Sequence, residues 1–347
     1  MTPGKLPELI NSEEELDELL SRPSEALIEF QKSFDGDLII LGVGGKLGSS
    51  LARMAQRAAQ EAGIRRRIIG VSRFTDPEKR RQLEEWGIET VVCDLLSMED
   101  VERLPDIPNV IFMAGTKFGS VGNEPRTWVM NAFVPGIVAH KFRDSRIVAF
   151  STGNVYPLVP VHSGGATEDT PPDPVGEYAQ SCLGRERVLQ FFSTLNSTPT
   201  TIIRLNYAVE LRYGVVLDIA KQVWKGEPVD LRMPQVNVIW QGDACDMTLR
   251  SFQLCQVPPT ILNLTGPEAI SVRWLANRFG DLFDRPPRFE NQEEDTALLS
   301  NAAAALERFG YPRIPLARVI KWVAHWVQID GPTYQKPTHF SEREGRF

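Results

Sequence analysis

Residues 37–52 read DLIILGVGGKLGSSLA, and this stretch decides the fold. It opens with a short continuous apolar run, as expected of a parallel strand buried on both faces. Glycines follow at 42, 45 and 48 in a GxxGxxG spacing; the commoner GxGxxG register fails because Leu47 stands at its third position. The need for glycine is physical. A tight strand-to-helix turn that lets backbone approach a pyrophosphate leaves no room for side chains. The helix expected over 47–62 then points its free N–H groups at the anion. Gly42, Gly45, Lys46, Leu47 and Gly48 are therefore candidates for holding the phosphates of a dinucleotide.

Outward from this loop the chain alternates strand and helix. RRIIGVSR (66–73), ETVVCD (89–94), NVIFMAG (109–115), RIVAFST (146–152), TTIIRLN (200–206) and TILNLTG (260–266) read as further strands, with a helix around 78–86 among them. This spacing predicts an α/β fold with a Rossmann-type, doubly wound parallel sheet and right-handed crossovers. Residues 36–205 form the expected dinucleotide-binding domain. Residues 206–330 form a smaller, mostly C-terminal substrate lobe, with a strand near 261–266 returning to the sheet. Within that lobe, 213–229 reads as a helix ended by Gly226 and 271–283 as another. Residues 1–35 are a helical extension in which Ser12 and Glu15 can form a capping box and Leu16, Leu19 and Leu20 give one short acidic helix an apolar face. The polar tail 331–347 is either draped over a neighbouring surface or disordered.

Composition narrows the function. The 347 residues are 42% hydrophobic and 24% charged, ordinary values for a soluble globular chain. A net charge of −7 argues against nucleic acid or an anionic membrane as partner. Cys93, Cys182, Cys245 and Cys255 make no CxxC pair and no metal spacing, so no metal is expected. The N-terminal stretch lacks the pattern of a signal peptide, and no apolar run approaches the roughly 18 residues of a membrane span. A cytoplasmic protein is expected. At the end of the second strand, Ser72 and Arg73 offer donors and positive charge suited to a 2′-phosphate, favouring NADP over NAD, although an arginine there can also stack on adenine. Asp94 is placed for the adenine amino group.

Several segments together resemble the extended short-chain dehydrogenase/reductase family, which holds the NAD-dependent nucleotide-sugar epimerases and dehydratases. The resemblance covers about residues 37–325. LGVGGKLG (41–48) is similar to the family's glycine loop, and VVCDL, with Asp94 and Leu95, to its adenine-side motif. FMAG, ending in Ala114 and Gly115, resembles the strand end beneath the cofactor, and Asn131 the helix asparagine behind the active site. STGNVYP (151–157) places the family's catalytic hydroxyl on Thr152, with Tyr156 as a structural tyrosine. RLNYAVELRYG (204–214), VIWQGDACD (238–246, with Trp240 where histidine is usual) and LNLTGPEAISVRWLA (262–276) extend the match.

EYAQSCLGRERV (177–188) resembles the family's catalytic helix, with Tyr178 as acid/base and Ser181 and Glu186 in place. The resemblance implies a lysine one turn after the tyrosine, where this chain has Cys182. That lysine has a clear task, because a phenol of pKa near 10 is a poor base at neutral pH. A cation about 5 Å away at an effective dielectric near 20 contributes roughly 3 kcal/mol, about two pKa units. Lys117 and Arg185 are the candidate replacements, and His162 sits in an expected substrate loop. The implied function is an NAD(P)-dependent epimerase-, dehydratase- or reductase-like oxidoreductase acting on a small carbohydrate-like molecule, a sugar or nucleotide sugar. The alternatives are a non-catalytic dinucleotide-binding regulator or sensor, and a lyase or isomerase step with Cys182 or Lys117 as the acting group. Arg204 and Arg212 could meet a phosphate or carboxylate. The family also implies a homodimer through helices 125–141 and 177–195.

Overall fold

A computed structural model describes residues 6–117, 119 and 121–346; the first five residues of the extension, Phe118 and Ser120 beside Lys117, and the last residue of the tail lie outside the described residues. Seven strands form the central sheet: β1 (Leu38–Leu41), β2 (Ile68–Ser72), β3 (Glu89–Val92), β4 (Asn109–Phe112), β5 (Arg146–Thr152), β6 (Thr200–Leu205) and β7 (Thr260–Leu264). Their order is β3-β2-β1-β4-β5-β6-β7, and every pair is parallel. Leu38 stands opposite both Ile68 and Asn109, so β1 is the centre from which the winding reverses. All four residues of β1 and of β4 are buried, the double-sided burial that their apolar runs require. A crevice opens beyond the carboxyl ends of β1 and β4, where open sheets of this kind bind ligands.

Two groups of helices cover the sheet. On one face lie α1 (Glu13–Leu20), α2 (Glu25–Ser33) and α3 (Gly48–Glu61). The α3 helix buries Ala52, Ala55, Ala58 and Ala59, whose small side chains permit a close approach. The Ser12 hydroxyl accepts from the Glu15 amide (3.3 Å), and the Glu15 carboxylate accepts from the Asn11 amide (2.8 Å). The extension differs from the single helix expected: α2 follows, capped by Ser24, and its shorter apolar pattern hid it from the periodicity. After β2, α4 (Pro77–Glu85) starts at the Asp76 cap.

On the other face, α5 (Glu124–Trp128) runs through a π-helical turn (Val129–Phe133) into α6 (Val134–Lys141), and packs on α7 (Gly176–Asn196). Pro135 has no N–H to give the Asn131 carbonyl four residues earlier, and Arg185 Nε donates to that carbonyl instead (3.3 Å). The widened turn aims Asn131 inward, the usual service of a π-bulge at a site.

The remaining lobe holds α8 (Val215–Lys225), α10 (Val272–Phe283) and α11 (Leu316–Gln328), while α9 (Gln241–Arg250) packs beside α3 on the first face of the sheet. Gly226 ends α8 at φ +70°, and the Ser271 hydroxyl caps α10. Trp240, in the position where the resemblance expected histidine, packs at a tilt against Trp322 of α11 (centroids 5.4 Å apart) inside this lobe's core. The tail is draped over the protein and fastened to it.

Candidate active site

The glycine loop leaves β1 at the crevice. Gly42 sits at φ +97°, and a Cβ there would stand 2.8 Å from the Ala114 amide, so β4 must also end in a small residue. A Cβ on Gly48 would lie 2.2 Å from the Val43 carbonyl oxygen, which fixes the first turn of α3 against the loop. At Gly45 the nearest atom would be the Gly42 oxygen at 3.4 Å, leaving open space above the loop. This cradle fits a pyrophosphate: close packing beneath, room above, and helix N–H groups at the end. Gly44 escaped the sequence reading; a Cβ there would meet Ser72 Oγ at 2.6 Å. The adjacent glycines were the signal.

Ser72 closes β2, and Arg73 beside it is exposed. Lys79, from α4, donates to the Gly44 carbonyl (3.0 Å), a second cation at this end that the sequence did not announce. Asp94 ends its strand with one carboxylate oxygen accepting from the Leu96 amide (3.1 Å), while Leu95 is buried beneath. Lys46 reaches across the cleft and lies over the Tyr213 ring, 3.0 Å from its centroid. Leu47, Lys117, Thr152, Gln241 and Thr338 line the same cavity of 210 Å³.

Around Tyr178 the polar groups converge. Its hydroxyl is in hydrogen-bond contact with Thr152 and with Cys182. Thr152 also accepts from Asn154, amide and side chain, at 3.2 and 3.0 Å. Burial and the neighbouring Cys182 push the Tyr178 phenol well above its ordinary value. Burial likewise raises the Cys182 thiol, which is therefore neutral. Lys117 Nζ stands 5.7 Å from the centroid of the Tyr178 ring, and burial lowers its pKa to about 8.

Asn131 organises the wall behind. It accepts from the Thr116 amide (2.9 Å) and donates to the Thr116 carbonyl (2.9 Å) and to Ser181 Oγ (3.0 Å). Arg185 is tied into this wall. Its guanidinium donates to Asn131 Oδ1 (2.8 Å) and the Phe150 carbonyl (2.8 Å), so it fastens two elements, though its charge still acts on Tyr178. Gly115 makes space for it, since a Cβ there would lie 2.4 Å from Arg185 Nη2.

Two other arginines are structural. Arg204 is spent on Glu186, with contacts of 2.8 and 3.0 Å, and donates to the Tyr156 hydroxyl (2.6 Å). Arg212 pairs with Glu210, Glu13 and Asp17, tying the extension to the lobe. Neither is turned toward a ligand. Tyr156 is structural as expected, and His162 is exposed and is not among the residues that line the cavity. Among the described residues no helix is long and apolar enough to cross a membrane, and no cluster of three metal-ligating side chains occurs.

Neither a protein-family model nor a curated protein matches the sequence. Solved structures do. The UDP-glucuronic acid 4-epimerase of Bacillus cereus superposes with a TM-score of 0.71 at 16% identity, over 84% of this chain and 99% of that one. The UDP-glucose 4-epimerase of Thermotoga maritima gives 0.69 at 17%, over 84% and 98%. That of Thermus thermophilus, a complex with NAD, gives 0.67 at 18%, over 84% and 99%. The chain has the fold of the UDP-sugar 4-epimerases. Within the epimerase fold the cradle at Gly42–Gly48 lies at the switch point of the sheet, and Tyr178, Thr152 and Lys117 lie at the same carboxyl-terminal edge.

Proposed function

We propose that this protein is an NAD(P)-dependent oxidoreductase of the epimerase/dehydratase type that acts at a hydroxyl or carbonyl carbon of a sugar-like substrate. The observation that carries this reading is the convergence of Tyr178, Thr152 and Lys117 beside a glycine cradle of the right shape. A nicotinamide dinucleotide bound in that cradle would supply hydride acceptance and donation. Gly42, Gly45, Lys46, Leu47 and Gly48 would hold its pyrophosphate, Asp94 and Leu95 its adenine, and Ala114, Gly115 and Asn131 the floor under its reactive half. Arg73, with Ser72 and Lys79 beside it, favours the 2′-phosphate of NADP.

The chain's own residues would move the proton. Tyr178 takes the proton of the substrate hydroxyl as its carbon loses hydride, and returns it when a carbonyl is reduced. Thr152 donates to the same substrate oxygen and holds it in place. Cys182, neutral, cannot stabilise a phenolate; Lys117, near the ring, and Arg185, whose charge acts on the phenol, are the cations beside it. With its pKa at about 8, Lys117 is mostly protonated at pH 7. The test is calorimetric titration with NADPH, NADP, NADH and NAD. Micromolar or tighter binding of the phosphorylated pair is expected; a folded sample free of nucleotide that binds none of the four would end the oxidoreductase reading.

The same reading includes a homodimer. Phe133 on the π turn and Phe191 and Leu195 on α7 are exposed apolar side chains, and a groove of 660 Å³ lined by Gly136, Ile137, Val188 and Phe192 runs between α6 and α7. A second copy presenting the same two helices would cover this face in a four-helix contact. Sedimentation should give a dimer that Phe191→Glu converts to monomer; a monomeric wild type at tens of micromolar would refute it.

A further inference from the structure

The C-terminal segment takes a path that no part of the proposed reaction explains. It leaves α11 beside Trp326, whose indole donates to the Pro332 carbonyl (3.0 Å). The Tyr334 amide donates to the Arg212 carbonyl (3.0 Å), and the Arg212 guanidinium lies over the Tyr334 ring at 5.3 Å. Thr338 gives both its amide (2.7 Å) and its hydroxyl (2.6 Å) to Asp218 of α8, and it lines the site cavity beside Lys46 and Lys117. Phe340 is buried in the core of the lobe, and Arg343 donates to the carbonyls of Thr296 and Arg232, both at 2.8 Å.

At its far end the segment meets the start of the helix that bears Tyr178. A Cβ on Gly345 would stand 2.3 Å from the Val175 carbonyl, and one on Gly176 would stand 2.4 Å from the Gly345 carbonyl. Both glycines sit at positive φ, +73° and +80°. Backbone therefore lies on backbone, a contact no other residue pair allows. The segment is pinned on both sides of the cleft.

Lys336 is held between the Tyr334 and Thr338 anchors. It is exposed, and its charge acts on both Lys46 and Lys79. Lys46 lines the cavity together with Thr338, two residues along the strap from Lys336, and Lys79 donates to the Gly44 carbonyl of the glycine loop. The carboxylates facing Lys46 are already engaged, Asp218 with Thr338 and Glu210 with Arg212. Burial, followed by the charges of Lys336 and Lys117, lowers the Lys46 pKa to about 7.

We propose that residues 331–346 are a strap closed over the dinucleotide cleft, and that Lys336, with Lys46 and Lys79, clasps the phosphates of the bound dinucleotide. The inference rests on the dinucleotide reading above. The strap makes the cofactor site from both ends of the chain and retains the dinucleotide during turnover.

The experiment is calorimetry on the full-length protein and on Lys336→Ala and Gly345→Val, with NADPH and with adenosine, at low and high salt. For Lys336→Ala, NADPH affinity should fall about tenfold with a shallower salt dependence, and adenosine affinity should be unchanged. Gly345→Val, which frees the end of the strap without altering any charge, should also weaken NADPH binding. Hydrogen exchange at the Tyr334 and Thr338 amides should slow when NADPH is added. Wild-type affinity and salt dependence in Lys336→Ala would overturn the clasp. Tighter binding by either variant would overturn it as well, making the strap an obstruction. A wild type that binds no dinucleotide would instead overturn the reading beneath it.

Discussion

Tyr178→Phe is expected to lower turnover by about 10²–10⁴-fold while changing nicotinamide affinity by less than about threefold. The phenol hydroxyl is the group in contact with both Thr152 and Cys182, and removing it leaves the ring in place. Steady-state rates with calorimetry on the same preparation make the measurement. Unchanged turnover would rule out Tyr178 as the proton carrier. Lys117→Met is the companion variant. The Lys117 ammonium lies 5.7 Å from the centroid of the ring, and a cation about 5 Å from a phenolate at an effective dielectric near 20 is worth up to roughly 3 kcal/mol, so a loss of up to about 100-fold is expected. The pH profile separates this from a structural effect. Lys117, lowered to about 8, is charged below that value and supports the phenolate there; its support fades as pH rises through about 8. The wild type should therefore show a falling alkaline limb near pH 8 that Lys117→Met lacks. An identical limb in the variant would assign the ionisation to another group.

Arg204→Leu is expected to destabilise the fold by about 3–5 kcal/mol, read from urea unfolding. Glu186 is fully buried and takes two bonds from Arg204 and one from the Ser151 hydroxyl (2.5 Å). Without the guanidinium its carboxylate is left in low dielectric with one hydroxyl, and the Tyr156 hydroxyl loses a donor as well. Replacing both partners, Arg204→Leu with Glu186→Leu, should recover a large part of the loss, because no unpaired charge remains. A single variant that costs under about 1 kcal/mol would show that water reaches the pair. The ion pair joins β6 to α7, the helix that carries Tyr178.

Much of this was written in local pattern. The apolar runs at 38–41, 68–72, 109–112 and 200–205 stand as strands because double-sided burial demands uninterrupted hydrophobicity, and the glycines at 42 and 48 mark turns that only glycine can make. The capping box at Ser12, the end of α8 at Gly226 and the α10 cap at Ser271 are likewise local, each satisfied within a few residues. Tyr178, Thr152 and Asn131 were legible as candidates because their surrounding segments resemble a family pattern.

Other features were decided only by tertiary structure. Arg185, Arg204 and Arg212 carry no mark in sequence that separates a ligand-binding arginine from one spent on a buried partner; apart from Glu210, two residues from Arg212, the partners are 18 to 199 residues away. The approach of Lys117 to the Tyr178 ring joins a loop after β4 to a helix some 60 residues later. Lys79, Tyr213 and the strap meet the glycine loop from three parts of the chain. Periodicity and turn chemistry act over one or two turns, so the sequence by itself determined the parallel sheet, the cradle and the candidate proton carrier. Charge pairing and the closing of a cleft act through space, and only the folded chain decided which cations border the site and what lies across it.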